Sequence, residues 1–226
     1  MNYAEIVKDA QNQNDVEKFL FQQNITRIMG VDEVGRAPLA GPVTACAYNM
    51  TAAWTAPWVG RIKDSKKLKP TERYALFELL LSGGHHEIAQ KDNDYIDKQG
   101  ITRACDVAMI KSIQGLLAKM PTPPQIIVID GNRIPEGFKA PCPVVCLPKA
   151  DGLSLNVAAA SIIAKCDRDT FMEDCHEVYP DYGFDSHKGY GTPQHIKAIR
   201  DHGTTPLHRL TFNRVRSDDV DQRAHS

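Results

Sequence analysis

Acidic side chains recur where apolar, β-branched runs stop, and that pattern constrains the fold more than any other feature of the chain. Ile28-Met29-Gly30-Val31 runs into Asp32-Glu33, Gln125-Ile-Ile-Val-Ile into Asp130, and Pro143-Val-Val-Cys-Leu147 into Lys149-Ala150-Asp151. Buried carboxylates at strand ends are costly unless a cation or hydrogen-bond donors neutralise them. The chain therefore has to bring several acids to one edge of a sheet together with something positive.

The rest of the pattern is that of an α/β domain. Residues 26–33 and 41–49 read as two strands joined by a GRAPLAG turn, and HHEIAQ (85–90) as a third. Pro70-Thr-Glu opens a helix that stops at Ser82-Gly83-Gly84. Apolar positions at three-to-four spacing predict a core-facing helix over 101–120, ended by Pro121. QIIVID is a strand of the kind buried on both faces, PVVCL a further short one, and a long helix follows over 155–177. A peripheral amphipathic helix is expected within 3–20, and one more near 193–201. Two strands, a helix, a strand, a helix and two more strands imply a mixed sheet with helices on both faces.

Composition removes several function classes. The chain has 226 residues, 42% of them apolar, enough for one large domain. No apolar run approaches the ~20 residues that span a bilayer, and the first twenty residues carry charges where a secretory leader has an apolar stretch, so a cytoplasmic protein is expected. The six cysteines include no CxxC pair, which argues against zinc and against a disulfide framework. Net charge is −1, but it is uneven: residues 61–73 hold six basic and two acidic side chains, and residues 187–216 six Lys/Arg, one Asp and four histidines. No oligomerisation signal is visible, so a monomer is expected.

Four carboxylates without Cys or His among them suit Mg²⁺ or Mn²⁺, and a pair of such ions can hydrolyse a phosphodiester. Read singly, Asp130-Gly131 and Asp151-Gly152 are ordinary turn dipeptides. Read jointly, with two basic zones and a Gly-Arg turn after Asp32-Glu33, the acids point to phosphodiester chemistry.

Six segments, in order, resemble the type 2 ribonucleases H and in particular bacterial ribonuclease HII: GVDEVGRAPLAGPV (30–43), KDSKKL (63–68), VIDGN (128–132), KADGLSLNVAAASIIAKCDRD (149–169), YGFDSHKGYGTPQH (182–195) and LHRLTF (207–212). The resemblance spans about 28–215. It implies a ribonuclease H-like mixed five-stranded sheet flanked by helices, with a helical C-terminal portion. The implied division is an N-terminal extension (1–24), a catalytic domain (25–178), a substrate-binding portion (179–216) and a frayed tail (217–226). It also implies an endonuclease that cuts the RNA strand of RNA/DNA hybrids and incises 5′ of single ribonucleotides in duplex DNA.

Asp32, Glu33, Asp130 and Asp151 match the family's acidic quartet, as catalytic and metal-holding residues. Gly35, Arg36 and Ala37 match the turn that reads the ribose at a DNA-to-RNA junction, with Tyr190 packing on the adjacent sugar; amides at close approach can read a 2′-hydroxyl. Ala37 departs from the family's glycine, which predicts weakened junction cleavage if that position needs positive φ or lies against the ribose. Ala150 replaces a second glycine and is expected to shift Asp151 slightly. Lys66, Lys67, Ser161, Lys165, Arg168, Lys188 and Arg209 fall in family-like segments and are expected to face the substrate backbone. His187 and His208 are expected to be structural. A sliding-clamp contact at the C-terminus is left open. Two competing readings are a DNA nuclease of the same superfold and a nucleic-acid-binding module whose site has been weakened.

Overall fold

A computed structural model describes residues 10–52 and 54–215. The part of the expected N-terminal extension before residue 10 and the expected frayed tail (217–226) lie outside them. Five strands form one sheet: β1 Ile28–Val34, β2 Val43–Met50, β3 Gly84–Lys91, β4 Ile126–Asp130 and β5 Val144–Leu147, in the order β3-β2-β1-β4-β5. The first three are antiparallel, while β1-β4 and β4-β5 are parallel. The parallel half matters for function, because β1, β4 and β5 all end at the same edge. Val31 pairs with Ile129 and Asp130 with Leu147, so the acids that follow come out side by side.

Seven α-helices are described: α1 Asp15–Gln22, α2 Pro70–Gly83, α3 Asn93–Gln99, α4 Ile101–Lys119, α5 Leu155–Val178, α6 Phe184–His187 and α7 Pro193–His202. Within the described part of the expected N-terminal helix, residues 10–14 are not helical and α1 begins at Asp15, after Asn14 in the left-handed region. Helix α3 was not anticipated. The Asp92 carboxylate caps it by accepting from Tyr95 N at 2.8 Å, and Gly100, at φ 80°, separates it from α4.

Strand alternation divides the core between the two faces. Met29, Val31, Ala45 and Ala47 pack on α4 with Ala108, Ile113 and Leu116. On the other face, Cys46 and Tyr48 pack with Ala158, Ile162 and Ile163 of α5, and Ile28, Ile126 and Val128 with Val157 and α1. Helix α5 crosses β1 at Gly30, where a Cβ would sit 2.2 Å from the Asn156 carbonyl carbon and 2.3 Å from Val157 N. Only glycine admits that approach, and it draws the start of α5, with Asp151 just before it, onto β1.

The C-terminal chain folds back over the β1–β2 connection. Leu39, Ala40, Met172, Tyr182, Phe184 and Ile199 form one apolar cluster. Main-chain hydrogen bonds join Leu39 N to Gly189 O (2.8 Å), Gly41 N to Leu207 O (2.9 Å) and Arg209 N to Leu39 O (2.8 Å). The Gly-Arg turn, the HKGYG loop and the 205–209 segment are thus one connected unit beside the acidic edge.

Candidate active site

Adjacent strand residues point to opposite faces, so Asp32 and Glu33 straddle the sheet edge. Asp32 turns toward α5 and is buried; its Oδ1 accepts from Glu33 N at 2.7 Å, and Ser161 of α5 is close enough to lower its pKa. Ser161 in turn lies 3.0 Å from the Ser65 hydroxyl, tying the KDSKKL segment to α5. Glu33 turns toward α4, pairs with Arg36 at 3.2 Å, and opens on a cleft of about 370 Å³ walled by Asp130, Cys105 and Arg133.

Asp130, at the end of β4, accepts from Ala150 N at 2.7 Å. Asp151 occupies a single 3₁₀ turn, Ala150–Gly152, entered through Lys149 in the left-handed region (φ 61°). Its neighbour is the Lys66 ammonium at 3.7 Å. The Ala150 methyl is buried with Val145, Leu147 and Val157, and its backbone is not in the left-handed region. Alanine there joins the core, and its N–H holds Asp130.

The charges of the four acids reach one another. Burial first, then the charges of Glu33, Asp130 and Asp151, hold Asp32 well above the usual carboxylate range, against the Ser161 hydrogen bond. Burial pushes Glu33 up to about 6, with Asp130 adding to it and Arg36 opposing. Burial raises Asp130 against the Ala150 N–H and Lys66. Asp151 is raised by burial, then by Asp64 and Asp130, against Lys66. Crowded carboxylates of this kind favour binding of positive charge. Among the described residues no three His, Cys, Asp or Glu side chains form a ready-made cage. Each acid faces a partner of its own: an N–H, Arg36 or Lys66. As a donor set they offer only hard oxygens, so the chemistry fits Mg²⁺ or Mn²⁺.

The outer residues divide. Tyr190 is 41% exposed, so its ring is open to solvent and not part of the core. Arg36 and Ala37 are exposed, and Gly35 has φ 90°, with Arg168 Nε 2.5 Å from where its Cβ would be. Ala37 is not in the left-handed region, so backbone strain is not its penalty. Lys66 and Lys67 project into solvent next to the acids, with side chains 79% and 70% exposed.

Arg168 and Arg209 do not face phosphates. Both are buried, and they hydrogen-bond main-chain carbonyls: Arg168 those of Ala40, Pro42 and Lys188, Arg209 those of Gly35, Arg36 and Gly41. The Lys188 ammonium is paired with Glu173 at 2.8 Å, and Lys165 with Asp169 at 2.6 Å, its Nζ 6.0 Å from the Tyr190 ring centre. Ser161 is buried beside Asp32, with its hydroxyl on that of Ser65. Asp64 and Ser65, which sequence reasoning passed over, stand beside Asp151 and Ser161; their place in a charged KDSKKL run hid them.

The histidines form a buried chain. Thr205 N donates to His208 Nδ1 (2.8 Å), the Nε2 atoms of His208 and His195 are 3.1 Å apart, and His195 Nδ1 meets Tyr190 O (3.0 Å). His187 stacks on His195 at 4.5 Å between ring centres. Burial lowers all three, His195 and His208 to about 4, so they are neutral and structural at pH 7.

The family model for Ribonuclease HII matches residues 29–215. The Ribonuclease HII of Chlorobium luteolum is 39% identical over 201 residues, 87% of this chain and 93% of that protein. The ribonuclease H2 of Pyrococcus horikoshii OT3 superposes with a TM-score of 0.70 at 26% identity, over 87% of this chain and 99% of that one. Bst-RNase HIII, solved in complex with Mn²⁺, shares the fold with a TM-score of 0.68 at 21% identity, over 88% of this chain and 70% of that one. Sheet order, acidic edge and sequence agree: the chain belongs to the ribonuclease HII family and has its ribonuclease H-like fold.

Proposed function

We propose that this chain is a divalent-metal endoribonuclease that hydrolyses the RNA strand of RNA/DNA hybrids and incises duplex DNA on the 5′ side of a single embedded ribonucleotide, leaving a 3′-hydroxyl and a 5′-phosphate. The observation that carries the reading is the convergence of Asp32, Glu33, Asp130 and Asp151 at one sheet edge, each held above its usual pKa by burial, beside an exposed Gly-Arg turn and Tyr190. Two Mg²⁺ or Mn²⁺ ions, when bound, supply the Lewis acidity and positive charge that attack on a phosphodiester requires.

The chain's own residues supply position. Asp32, Glu33, Asp130 and Asp151 hold the ions. Ser161 and Ser65 fix Asp32, and the Ala150 N–H fixes Asp130. Lys66 and Lys67 attract the phosphate backbone. The 35–37 turn reads the 2′-hydroxyl, the Tyr190 ring packs on the neighbouring sugar, and residues 179–216 serve as the substrate-binding portion.

Cleavage-site mapping on labelled duplexes with zero, one and four ribonucleotides, in Mg²⁺, Mn²⁺ and EDTA, tests this directly. Cuts 5′ of the lone ribonucleotide in metal, with none in the all-DNA duplex, are expected. Equal cutting of all-DNA duplex would instead support a DNA nuclease of the same superfold. Binding without cutting in any metal would support a non-catalytic module.

A further inference from the structure

The two buried arginines lie directly behind the Gly-Arg turn. Burying a guanidinium with neutral carbonyls, and no carboxylate, as its acceptors is costly. Burial and the nearby Arg168 charge push Arg209 down to about 9, which leaves it cationic at neutral pH. Its Nη2 donates to Gly35 O at 2.7 Å and its Nη1 to Arg36 O at 3.0 Å, while Nε and Nη2 both hold Gly41 O.

A trans peptide points its C=O and its N–H in opposite directions. Fixing the Gly35 carbonyl inward therefore turns the Arg36 N–H outward, and fixing the Arg36 carbonyl turns the Ala37 N–H outward. Among the described residues neither N–H has an acceptor, and both residues are exposed. Arg168 extends the same device by joining Ala40 O and Pro42 O, behind this turn, to Lys188 O in the loop that carries Tyr190. Gly35 is required because any Cβ would collide with Arg168.

We propose that Arg209 is a positioning residue for ribose recognition: by holding the Gly35 and Arg36 carbonyls inward, it presents the Arg36 and Ala37 N–H groups as the paired donors that read a 2′-hydroxyl. This rests on the function proposed above. It explains why an arginine in a basic zone is buried, and it makes Ala37 compatible with recognition, because the group that reads is the N–H and not the side chain. Lysine at 209 would keep the charge but lose the planar fork that binds several carbonyls at once.

Amide hydrogen exchange by NMR on the full wild-type chain in EDTA, with saturating duplex, tests the geometry without a mutation. The Arg36 and Ala37 amides should exchange fast in the free protein. They should slow at least about tenfold on duplex with one ribonucleotide, as a hydrogen bond worth about 1.4 kcal/mol requires, and should not slow on all-DNA duplex. Arg209→Lys tests the residue. It should keep its affinity for all-DNA duplex and lose at least about tenfold in kcat/KM on the one-ribonucleotide duplex. Amides already protected in the free protein, or protected equally by both duplexes, would overturn the proposal, as would wild-type discrimination in Arg209→Lys. If that variant does not fold, the wild-type exchange data decide. Nicking by wild type without amide protection removes only the role of Arg209, whereas no nicking of the ribonucleotide duplex in any metal removes the function beneath it.

Discussion

Gly30 and Asn156 are in main-chain contact so close that a Cβ on Gly30 would sit 2.2 Å from the Asn156 carbonyl carbon. Backbone atoms of α5 cannot yield as a flexible side chain does. Gly30→Ala should therefore destabilise the fold by about 3 kcal/mol, the upper end of overpacking penalties, and displace Asp151 from β1. Urea unfolding and cleavage rate check it together; a stable, fully active variant would show that α5 can shift freely.

Lys66 stands 3.7 Å from Asp151 and opposes the rise of both Asp130 and Asp151. Removing it in Lys66→Ala should raise those carboxylates further and move the acid limb of the pH–rate profile upward. If Lys66 also neutralises one phosphate, the slope of log affinity against log salt should become shallower by about 1. An unchanged limb and slope would make Lys66 a solvated surface charge.

His195 and His208 are held at about 4 in the folded chain by burial, against an ordinary value of 6.5. The unfolded chain binds protons that the folded chain refuses, so this part of the stability is full above 6.5 and is lost as pH falls toward 4. A shift of that size corresponds to roughly 3 kcal/mol for either ring. The acids act in the opposite sense: with Glu33 near 6 instead of 4.5, folding weakens as pH rises through that window. Bound Mg²⁺ should relieve the acid contribution alone. Denaturant midpoints between pH 4 and 8 should therefore depend more steeply on pH, falling in acid, with Mg²⁺ than with EDTA. The same slope in both would contradict the assignment.

Ala37 lies outside the left-handed region, so glycine there relieves no strain. Ala37→Gly should lower unfolding stability by up to about 1 kcal/mol through the entropy of the unfolded chain. Strain relief would have raised it. A gain in junction cleavage in that variant would then report steric contact between the methyl and the ribose.

Strands and helices were legible because their apolar periods are plain, and the acids because each ends such a run. The fate of individual cations was not. Arg168 and Arg209 read as phosphate contacts, since nothing in DRD or LHRL indicates that their targets are carbonyls of residues 35–42 and 188, which only the packing of α5 and the C-terminal chain on the β1–β2 connection brings to them. Helix α3 escaped notice because its seven residues carry a single buried side chain, Ile96, although Asp92 and Gly100 mark its ends. The contact at Gly30 could not be foreseen from a period, because it depends on which helix crosses which strand.

Asp32, Glu33, Asp130 and Asp151 are proposed above to act together as a divalent-metal site for cutting RNA out of duplex DNA. Nicking of an end-labelled duplex with one ribonucleotide, by wild type and by Asp32→Asn in Mg²⁺, decides whether they do. Wild type should make a single cut 5′ of the ribonucleotide, and none in EDTA, while the variant should lose at least about a thousandfold in rate with duplex binding retained. Mg²⁺-dependent nicking at a comparable rate by Asp32→Asn, or nicking by wild type in EDTA, would contradict that role.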